Sequence, residues 1–257
     1  MTDQFHLDGA WNFRDVGGAP TAAGRAVLGG ALFRASELSQ LTDRGRQALL
    51  ELGVTDVFDL RAEREIERTG ADRLPDGVTL RHRPFLPKPD PKESDPAAAE
   101  GGSAPHEASQ GVSRERGREF LFEAYSRFPT YPGAKAVIGE LAATLADGGV
   151  ALVHCAAGKD RTGWVVATVL RAAGVTDAAV LADYLRSNEG TEPLRALLAA
   201  RYDGQAQLSD DLLGVREDYY RRAQEVMAAE SGSFEEYLTE CGIDAELLDR
   251  LRKRLLD

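Results

Sequence analysis

The sequence is poor in cysteine, lysine and histidine and contains no long apolar run. Only two cysteines occur among its 257 residues, which excludes a disulfide framework and fits a reducing compartment. No window approaches the roughly 20 consecutive apolar residues of a membrane-spanning helix. The N-terminus also lacks a basic region followed by an apolar core. We therefore expect a protein without stable membrane insertion that is cytoplasmic, or secreted without an ordinary signal peptide.

Acidic residues outnumber basic ones. The formal net charge is −11 at pH 7, which argues against nucleic-acid binding and against general attraction to anionic membranes. The four histidines show no metal-ligand spacing, so we expect neither a metal nor a cofactor. With 43% hydrophobic residues, the chain is long enough to bury one sizeable core, and composition leaves the oligomeric state open.

One ten-residue segment carries most of the functional information. It reads His-Cys-Ala-Ala-Gly-Lys-Asp-Arg-Thr-Gly at 154–163, after an apolar run at 149–153 and before an apolar segment that starts at Trp164. This pattern predicts a strand, a tight loop and a helix. The backbone N–H groups of such a loop and the N-terminus of the helix converge on one point, where they bind an oxyanion. A cysteine at one end and an arginine at the other predict a phosphate site with its own nucleophile.

Each residue type in this loop has a chemical role in that prediction. The surroundings of Cys155 favour its thiolate, which attacks phosphorus and forms a phosphocysteine intermediate that water later hydrolyses. Arg161 presents a planar fork that binds two phosphoryl oxygens. Gly158 supplies a backbone position with positive φ, and Thr162 can hydrogen-bond the thiolate. We expect His154 to orient the loop through its ring rather than to act as a base.

Strand and helix patterns alternate early in the chain, and helix patterns dominate late. Thr42 is predicted to cap the first long helix, which ends near Gly53. The other predicted elements are strands at 54–60 and 78–84 and helices at 132–147 and 176–187. These patterns predict an α/β fold with a small central, mostly parallel sheet flanked by helices and a helix-rich C-terminal third.

The segment from about residue 86 to residue 111 differs in composition from the rest of the chain. Five prolines occur between Pro84 and Pro96, and a run rich in Ala, Glu, Gly and Ser follows. This composition indicates a mobile insertion or lid at about 86–130, within a single domain that spans 1–257. An apolar stripe at 120–128 has helical spacing, which is typical of core packing or, alternatively, of a lid helix.

The loop at 154–163 resembles the signature of the cysteine-dependent protein tyrosine phosphatases. Lys159 is similar to the lysine of phosphoinositide phosphatases, and Asp160, directly before the arginine, is similar to the general acid of the myotubularins. Both residues together resemble the bacterial atypical protein tyrosine phosphatases. Other segments also resemble that family, so that the similarity covers nearly the whole chain: 11–16, 32–38, 55–61, 182–188, 213–216 and 232–238.

The resemblance implies a tyrosine-phosphatase-like fold and a cysteine-dependent phosphatase that hydrolyses phosphotyrosine in proteins. Phosphoserine, phosphothreonine and phosphoinositides are further substrates that it suggests, so the implied partners are phosphotyrosyl proteins and phosphoinositides. Lys159 would widen the site towards inositol phosphates. The substrate contacts implied by the resemblance are Arg14 and the loop residues Ala156, Ala157, Gly158, Lys159, Thr162 and Gly163. Arg14, Asp15, Arg34 and residues 186–188 also match the family, mainly as scaffold ion pairs near the site, and Arg14 is the one among them expected to contact phosphate.

Three aspartates are candidates for the general acid that protonates the leaving group. Asp160 comes first because it lies in the loop and matches the family motif; the alternative is a structural carboxylate that accepts backbone N–H bonds. Asp90 follows a proline in the insertion, as the acid of ordinary tyrosine phosphatases does, but its neighbours depart from the family pattern. Asp59 ends a predicted strand, and we expect it to brace the loop together with Arg61.

Two other classes of protein share parts of this pattern. An inactive phosphatase fold would capture phosphorylated ligands without turnover, although it would not need Cys155, Asp160 and Arg161 together. A rhodanese-like sulfurtransferase also carries a cysteine on a loop after a strand, but it does not require the Lys-Asp-Arg-Thr-Gly segment. Turnover of a phosphorylated substrate or of thiosulfate distinguishes these classes.

Overall fold

A computed structural model of the protein describes residues 6–85, 114–201 and 210–257. Its strands, in chain order, are β1 (His6–Leu7), β2 (Ala10–Trp11), β3 (Arg14–Asp15), β4 (Leu32–Ala35), β5 (Asp56–Asp59), β6 (Thr79–His82) and β7 (Ala151–His154). Strands β1 and β2 form a separate antiparallel pair, and the other five form one sheet in the order β3-β4-β7-β5-β6. Only the β3–β4 pairing in this sheet is antiparallel. The predicted small, mostly parallel sheet is confirmed.

Helices surround this sheet and dominate the C-terminal third. They are α1 (Asp43–Glu51), α2 (Glu63–Thr69), α3 (Arg114–Arg127), α4 (Pro132–Ala146), α5 (Asp160–Ala172), α6 (Asp177–Arg186), α7 (Thr191–Arg201), α8 (Asp210–Leu213), α9 (Glu217–Ser231), α10 (Phe234–Glu240) and α11 (Ala245–Leu256), with 3-10 turns at Phe128–Thr130 and Ser187–Gly190. The predicted α/β class is therefore confirmed. Within the three described ranges, no helix has the length and apolar character needed to cross a membrane.

The helix starts and strand positions agree with the sequence pattern. The hydroxyl of Thr42 accepts a hydrogen bond from the Gly45 N–H and begins α1, and Thr176 caps α6 in the same way. The strand predicted from residue 54 begins two residues later. The reason is that the Val54 N–H bonds to the Leu49 carbonyl and closes the end of α1 instead of joining the sheet.

The sheet brings three strand ends to one edge. All four residues of β7 are buried, and parallel neighbours flank this strand on both sides. Ala35 at the end of β4 and Asp59 at the end of β5 both pair in register with His154 at the end of β7. The loop that follows His154 thus begins at the carboxyl edge of the sheet, where open α/β sheets bind their ligands.

Helix α3 and the 3-10 turn that follows it carry the apolar stripe that the sequence predicts at 120–128. Leu121, Tyr125 and Phe128 are buried in the main hydrophobic core, so the core-packing interpretation is confirmed for these residues. The ring of Phe128 lies 5.5 Å from that of Phe85 and perpendicular to it. The remainder of the expected insertion, residues 86–113 with Asp90 among them, lies outside the described ranges.

Candidate active site

The loop between β7 and α5 places a buried cysteine at the carboxyl edge of the sheet. Cys155 directly follows β7, and α5 begins five residues later at Asp160. Gly158 has φ +66°, and a Cβ added there would lie 2.0 Å from the Ala35 carbonyl oxygen. A glycine is required at this position for both reasons, and the expected positive φ is present.

Two polar side chains hold the loop from outside through its carbonyl groups. Asn12 donates from Nδ2 to the carbonyls of Ala157 (3.0 Å) and Gly158 (3.1 Å), and Arg34 donates from Nη2 to that of Gly158 (2.8 Å). In a planar trans peptide the C=O and the following N–H point in opposite directions. The N–H groups of Gly158 and Lys159 therefore face away from these braces, as an anion-binding loop requires.

Behind these braces lies a buried cluster of charges. Asp183 accepts from Arg14 Nε (2.7 Å) and from Arg34 Nη1 (2.8 Å), and both guanidinium groups also donate to Ser187. Burial raises the pKa of Asp183, but the charges of Arg34 and Arg14 outweigh it and bring the pKa below its ordinary value. The carboxylate thus stays ionised and fixes both arginines.

Arg14 takes part in the buried ion pairs behind the loop, which agrees with the scaffold role expected of it. Its side chain is 1% exposed and bound to Asp183, Ser187 and Oδ1 of Asn12 (2.8 Å). Burial, followed by the nearby charge of Arg34, lowers the pKa of Arg14 to about 10. Arg14 therefore orients the Asn12 amide towards the loop, and its guanidinium is held by protein partners.

Arg161 at the end of the loop is held by a residue that the sequence analysis missed. Glu65 on α2 accepts from Arg161 Nη1 (2.6 Å) and Nη2 (2.7 Å), and both residues are buried. Glu65 also accepts from the Ala62 N–H at the start of its own helix (2.7 Å), which fixes the carboxylate. This bidentate pair sets the orientation of the guanidinium. The capping position three residues after Ala62 was the only local signal for Glu65.

His154 is paired with a second residue that sequence reasoning missed. Its Nε2 lies 2.7 Å from Oδ2 of Asp72, and its Nδ1 lies 3.2 Å from the carbonyl oxygen of Cys155. Burial lowers the pKa of His154, but the charges of Asp72 and Asp59 outweigh it and raise the pKa to about 9. The ring is then an imidazolium at neutral pH that donates to both partners. These contacts fit the orienting role expected of His154 and place a positive charge next to Cys155.

Arg61 links the aspartates near His154. It donates to both oxygens of Asp59 (2.8–3.1 Å), to Oδ1 of Asp72 (2.7 Å) and to Glu37 (2.8 Å). Ligand atoms of Asp59, Asp72 and His154 lie within 4.8 Å of one another and are of types that bind metals. Because Arg61 and the protonated His154 already pair with these carboxylates, this cluster has the character of an ion-pair network. The contacts agree with the bracing role expected for Asp59.

Asp160 is held by side chains from two elements. Its Oδ1 accepts from the Tyr125 hydroxyl (2.8 Å), and the ammonium of Lys159 lies 3.1 Å from its Oδ2. Lys159 also donates to the carbonyls of Leu212 (2.9 Å) and Gly214 (3.0 Å). These contacts differ from the backbone N–H bonds expected of a purely structural carboxylate. They also bury the Lys159 ammonium, which the sequence analysis assigned to the substrate.

The remaining loop residues shape the site by close packing. Thr162 is fully buried, and its hydroxyl has no hydrogen-bond partner within the described residues. The hydroxyl is therefore available to donate a hydrogen bond to Sγ of Cys155. A Cβ on Gly163 would approach the Tyr184 ring to 3.0 Å, so glycine permits α5 and α6 to pack closely. The Ala156 carbonyl accepts from the Glu37 N–H (3.1 Å) and so faces away from the site.

A cysteine and a fixed arginine at the two ends of an anion-binding loop define a cysteine-dependent phosphatase. Residues 5–257 match the tyrosine phosphatase family, and the chain belongs to that family. It is similar to the triple specificity protein phosphatase PtpB of Mycobacterium tuberculosis, with 40% identity over 281 residues that cover 97% of this chain and 98% of the relative. It is also similar to a tyrosine-protein phosphatase of Nostoc commune, with 29% identity over 247 residues, 92% of this chain and 78% of the relative. The predicted family, fold and enzyme class are confirmed, which removes the support for a rhodanese-like sulfurtransferase.

Proposed function

We propose that this protein hydrolyses phosphotyrosine in proteins, with Cys155 as nucleophile, Arg161 as phosphate ligand and Asp160 as general acid. The observation that carries this proposal is the geometry at the end of the loop. Glu65 orients the Arg161 guanidinium by two hydrogen bonds, and the Asn12 and Arg34 braces turn loop N–H groups to the opposite side. A phosphoryl group bound there contacts the Cys155 thiolate, the Arg161 guanidinium and the backbone N–H donors of the loop together.

The reaction has two steps. In the first, Sγ of Cys155 bonds to phosphorus while the bond from phosphorus to the tyrosine oxygen breaks, and Asp160 passes its proton to that oxygen. In the second, water attacks phosphorus, the Asp160 carboxylate takes a proton from the water, and the S–P bond breaks. Phosphate and the thiolate are released, and Asp160 is again protonated. Arg161 and the loop N–H groups bind the equatorial oxygens in both steps.

Of the two aspartates in the described residues that sequence reasoning considered, Asp160 suits the role of acid better. Both oxygens of Asp59 accept hydrogen bonds from Arg61, which holds that side chain in the network behind the loop. Asp160 is the first residue of α5 and lies next to Arg161 in the chain, at the end of the loop where the phosphoryl group would bind. From this position its carboxyl group is proposed to exchange a proton with the leaving oxygen.

The substrate range that we propose includes phosphoserine, phosphothreonine and phosphoinositides besides phosphotyrosine. The name of the mycobacterial relative, a triple specificity protein phosphatase, supports a broad range. Phosphorylated proteins are the partners that follow, and either the cytoplasm or the cell exterior suits such an enzyme. We also propose that residues 1–257 form one phosphatase domain.

Phosphate release without added metal tests the proposal. The substrates are a phosphotyrosyl peptide and a monophosphorylated phosphoinositide, and the control is Cys155→Ser. We expect turnover that the substitution abolishes, with binding of the phosphotyrosyl peptide retained. The ratio of the two rates measures the substrate range. Tight binding without turnover by the unsubstituted protein would instead identify an inactive module that captures phosphorylated ligands.

A further inference from the structure

Three buried side chains form a hydrogen-bonded chain that ends at Asp160. The Tyr184 hydroxyl donates to the Tyr125 oxygen (2.8 Å), and the Tyr125 hydroxyl donates to Oδ1 of Asp160 (2.8 Å). Both tyrosines are fully buried, and Asp160 is 2% exposed. The two tyrosines come from α3 and α6, so two separate helices meet at one carboxylate.

Tyr125 has little freedom to move. Its ring packs against those of Phe128 (4.7 Å), Tyr219 (5.6 Å) and Tyr184 (6.3 Å). Burial, with the charge of Asp160 as the next contribution, raises the pKa of Tyr125 well above its ordinary value. The side chain therefore remains a phenol throughout the physiological pH range and always has a proton to donate.

The hydrogen bond from Tyr125 gives the two oxygens of Asp160 different surroundings. The Lys159 ammonium lies at similar distances from both oxygens, 3.3 Å from Oδ1 and 3.1 Å from Oδ2, whereas the Tyr125 hydroxyl bonds to Oδ1. We propose that Tyr125 is a positioning residue that fixes Oδ1 of Asp160, so that Oδ2 is the oxygen that exchanges the proton with the leaving group. This inference rests on the proposed role of Asp160 as general acid.

The positioning role of Tyr125 should affect only the proton transfer to the leaving group. A tyrosine leaving group, with a pKa of about 10, needs a proton as its bond to phosphorus breaks. A nitrophenol is much more acidic and leaves readily as an anion. Loss of the Tyr125 hydroxyl should therefore slow the reaction of poor leaving groups and spare good ones. A purely structural role in the core would lower both rates by the same factor.

The test compares kcat/KM for phenyl phosphate and p-nitrophenyl phosphate, because kcat/KM reports the step in which the leaving group departs. We expect Tyr125→Phe to lower the value for phenyl phosphate about tenfold, as for the loss of one hydrogen bond that positions the acid. The value for p-nitrophenyl phosphate should fall less than about threefold. Tyr184→Phe retains the Tyr125 hydroxyl and should show a smaller effect in the same direction, and it decides the question if Tyr125→Phe does not fold.

Two further variants distinguish an error in the role of Asp160 from an error in the role of Tyr125. Tyr219→Phe is the matched control, because its ring touches Tyr125 while its hydroxyl donates to the Asp211 carbonyl (3.3 Å) instead of Asp160. It should not alter the ratio of the two rates. Asp160→Asn should show the leaving-group effect in full. If Asp160→Asn lowers both rates equally, the proposed general acid is wrong. If Asp160→Asn is selective and folded Tyr125→Phe is not, only the positioning role of Tyr125 is overturned.

Discussion

Nε2 of His154 lies 2.7 Å from Oδ2 of Asp72, and both side chains are completely buried. Because the pKa of His154 is about 9 in the fold and 6.5 in its ordinary state, protonation of this ring is coupled to folding. A raised pKa stabilises the fold fully below the unfolded value and loses that contribution as the pH rises through the folded value.

The first prediction follows from the upward shift of the His154 pKa. The free energy of unfolding should fall between pH 6.5 and pH 9, the interval spanned by the two pKa values. The fall should reach at most about 3 kcal/mol at higher pH. Urea unfolding at a series of pH values measures it. His154→Gln should remove this slope, and an unchanged slope in that variant would assign the effect to another group.

The second prediction concerns Arg161 and Glu65. Glu65→Gln removes the charge that orients the guanidinium, so the inhibition constant of inorganic phosphate should rise at least about tenfold, as for a lost charge-assisted hydrogen bond. Competition against p-nitrophenyl phosphate measures this constant. Glu67→Gln on the exposed face of the same helix is the control and should leave it unchanged. Equal behaviour of the two variants would contradict the assigned role of Glu65.

The third prediction distinguishes two costs of adding a Cβ at Gly158: backbone strain from the positive φ, and a steric clash with the Ala35 carbonyl. Gly174 also has a positive φ (+93°), but a Cβ there would meet no atom within 4 Å, whereas at Gly158 it would meet the Ala35 carbonyl. Gly174→Ala should cost about 1–2 kcal/mol of unfolding free energy. Gly158→Ala should cost more and also abolish phosphate binding, because the loop must move. Unfolding and phosphate inhibition measured on both variants test this, and a Gly158→Ala protein with normal phosphate affinity would contradict it.

The fourth prediction concerns Lys159. Its ammonium is bound to Asp160 and to the carbonyls of Leu212 and Gly214, so its role should not depend on the substrate. Lys159→Met should lower the turnover of a phosphotyrosyl peptide and of a phosphoinositide by similar factors, about tenfold or more. Lys253→Met, at an exposed position, is the control. A loss confined to the phosphoinositide would show that Lys159 contacts that substrate after all.

The sequence predicts those parts of the site that depend on neighbouring residues. Cys155, Gly158 and Arg161 lie within seven residues, and the strand and helix that flank them have clear periodicity. The loop geometry follows from this short segment, because a strand end, a tight turn and a helix start restrict the backbone closely. The conformation of Gly158 could therefore be predicted without any knowledge of the rest of the chain.

The residues that hold this loop could not be found in the same way. Glu65 and Asp183 contact partners 96 and 169 positions away in the chain, and neither the capping position of Glu65 nor the family-like segment around Asp183 indicates which residues these partners are. The sequence indicates that Arg14 takes part in an ion pair near the site, but it does not reveal that Asp183 is the partner. Tyr125 was correctly placed in the core as part of an apolar stripe, but that pattern says nothing about where its hydroxyl points.

The most direct test of the account is to trap the covalent intermediate. Rapid acid quenching of the enzyme during turnover of a phosphotyrosyl peptide, followed by mass spectrometry of its peptides, locates any transferred phosphoryl group. We predict a phosphoryl group on Cys155 that forms within the first turnover and is absent from Cys155→Ser. Turnover with no phosphorylated Cys155, or with the phosphoryl group on another residue, would contradict the mechanism.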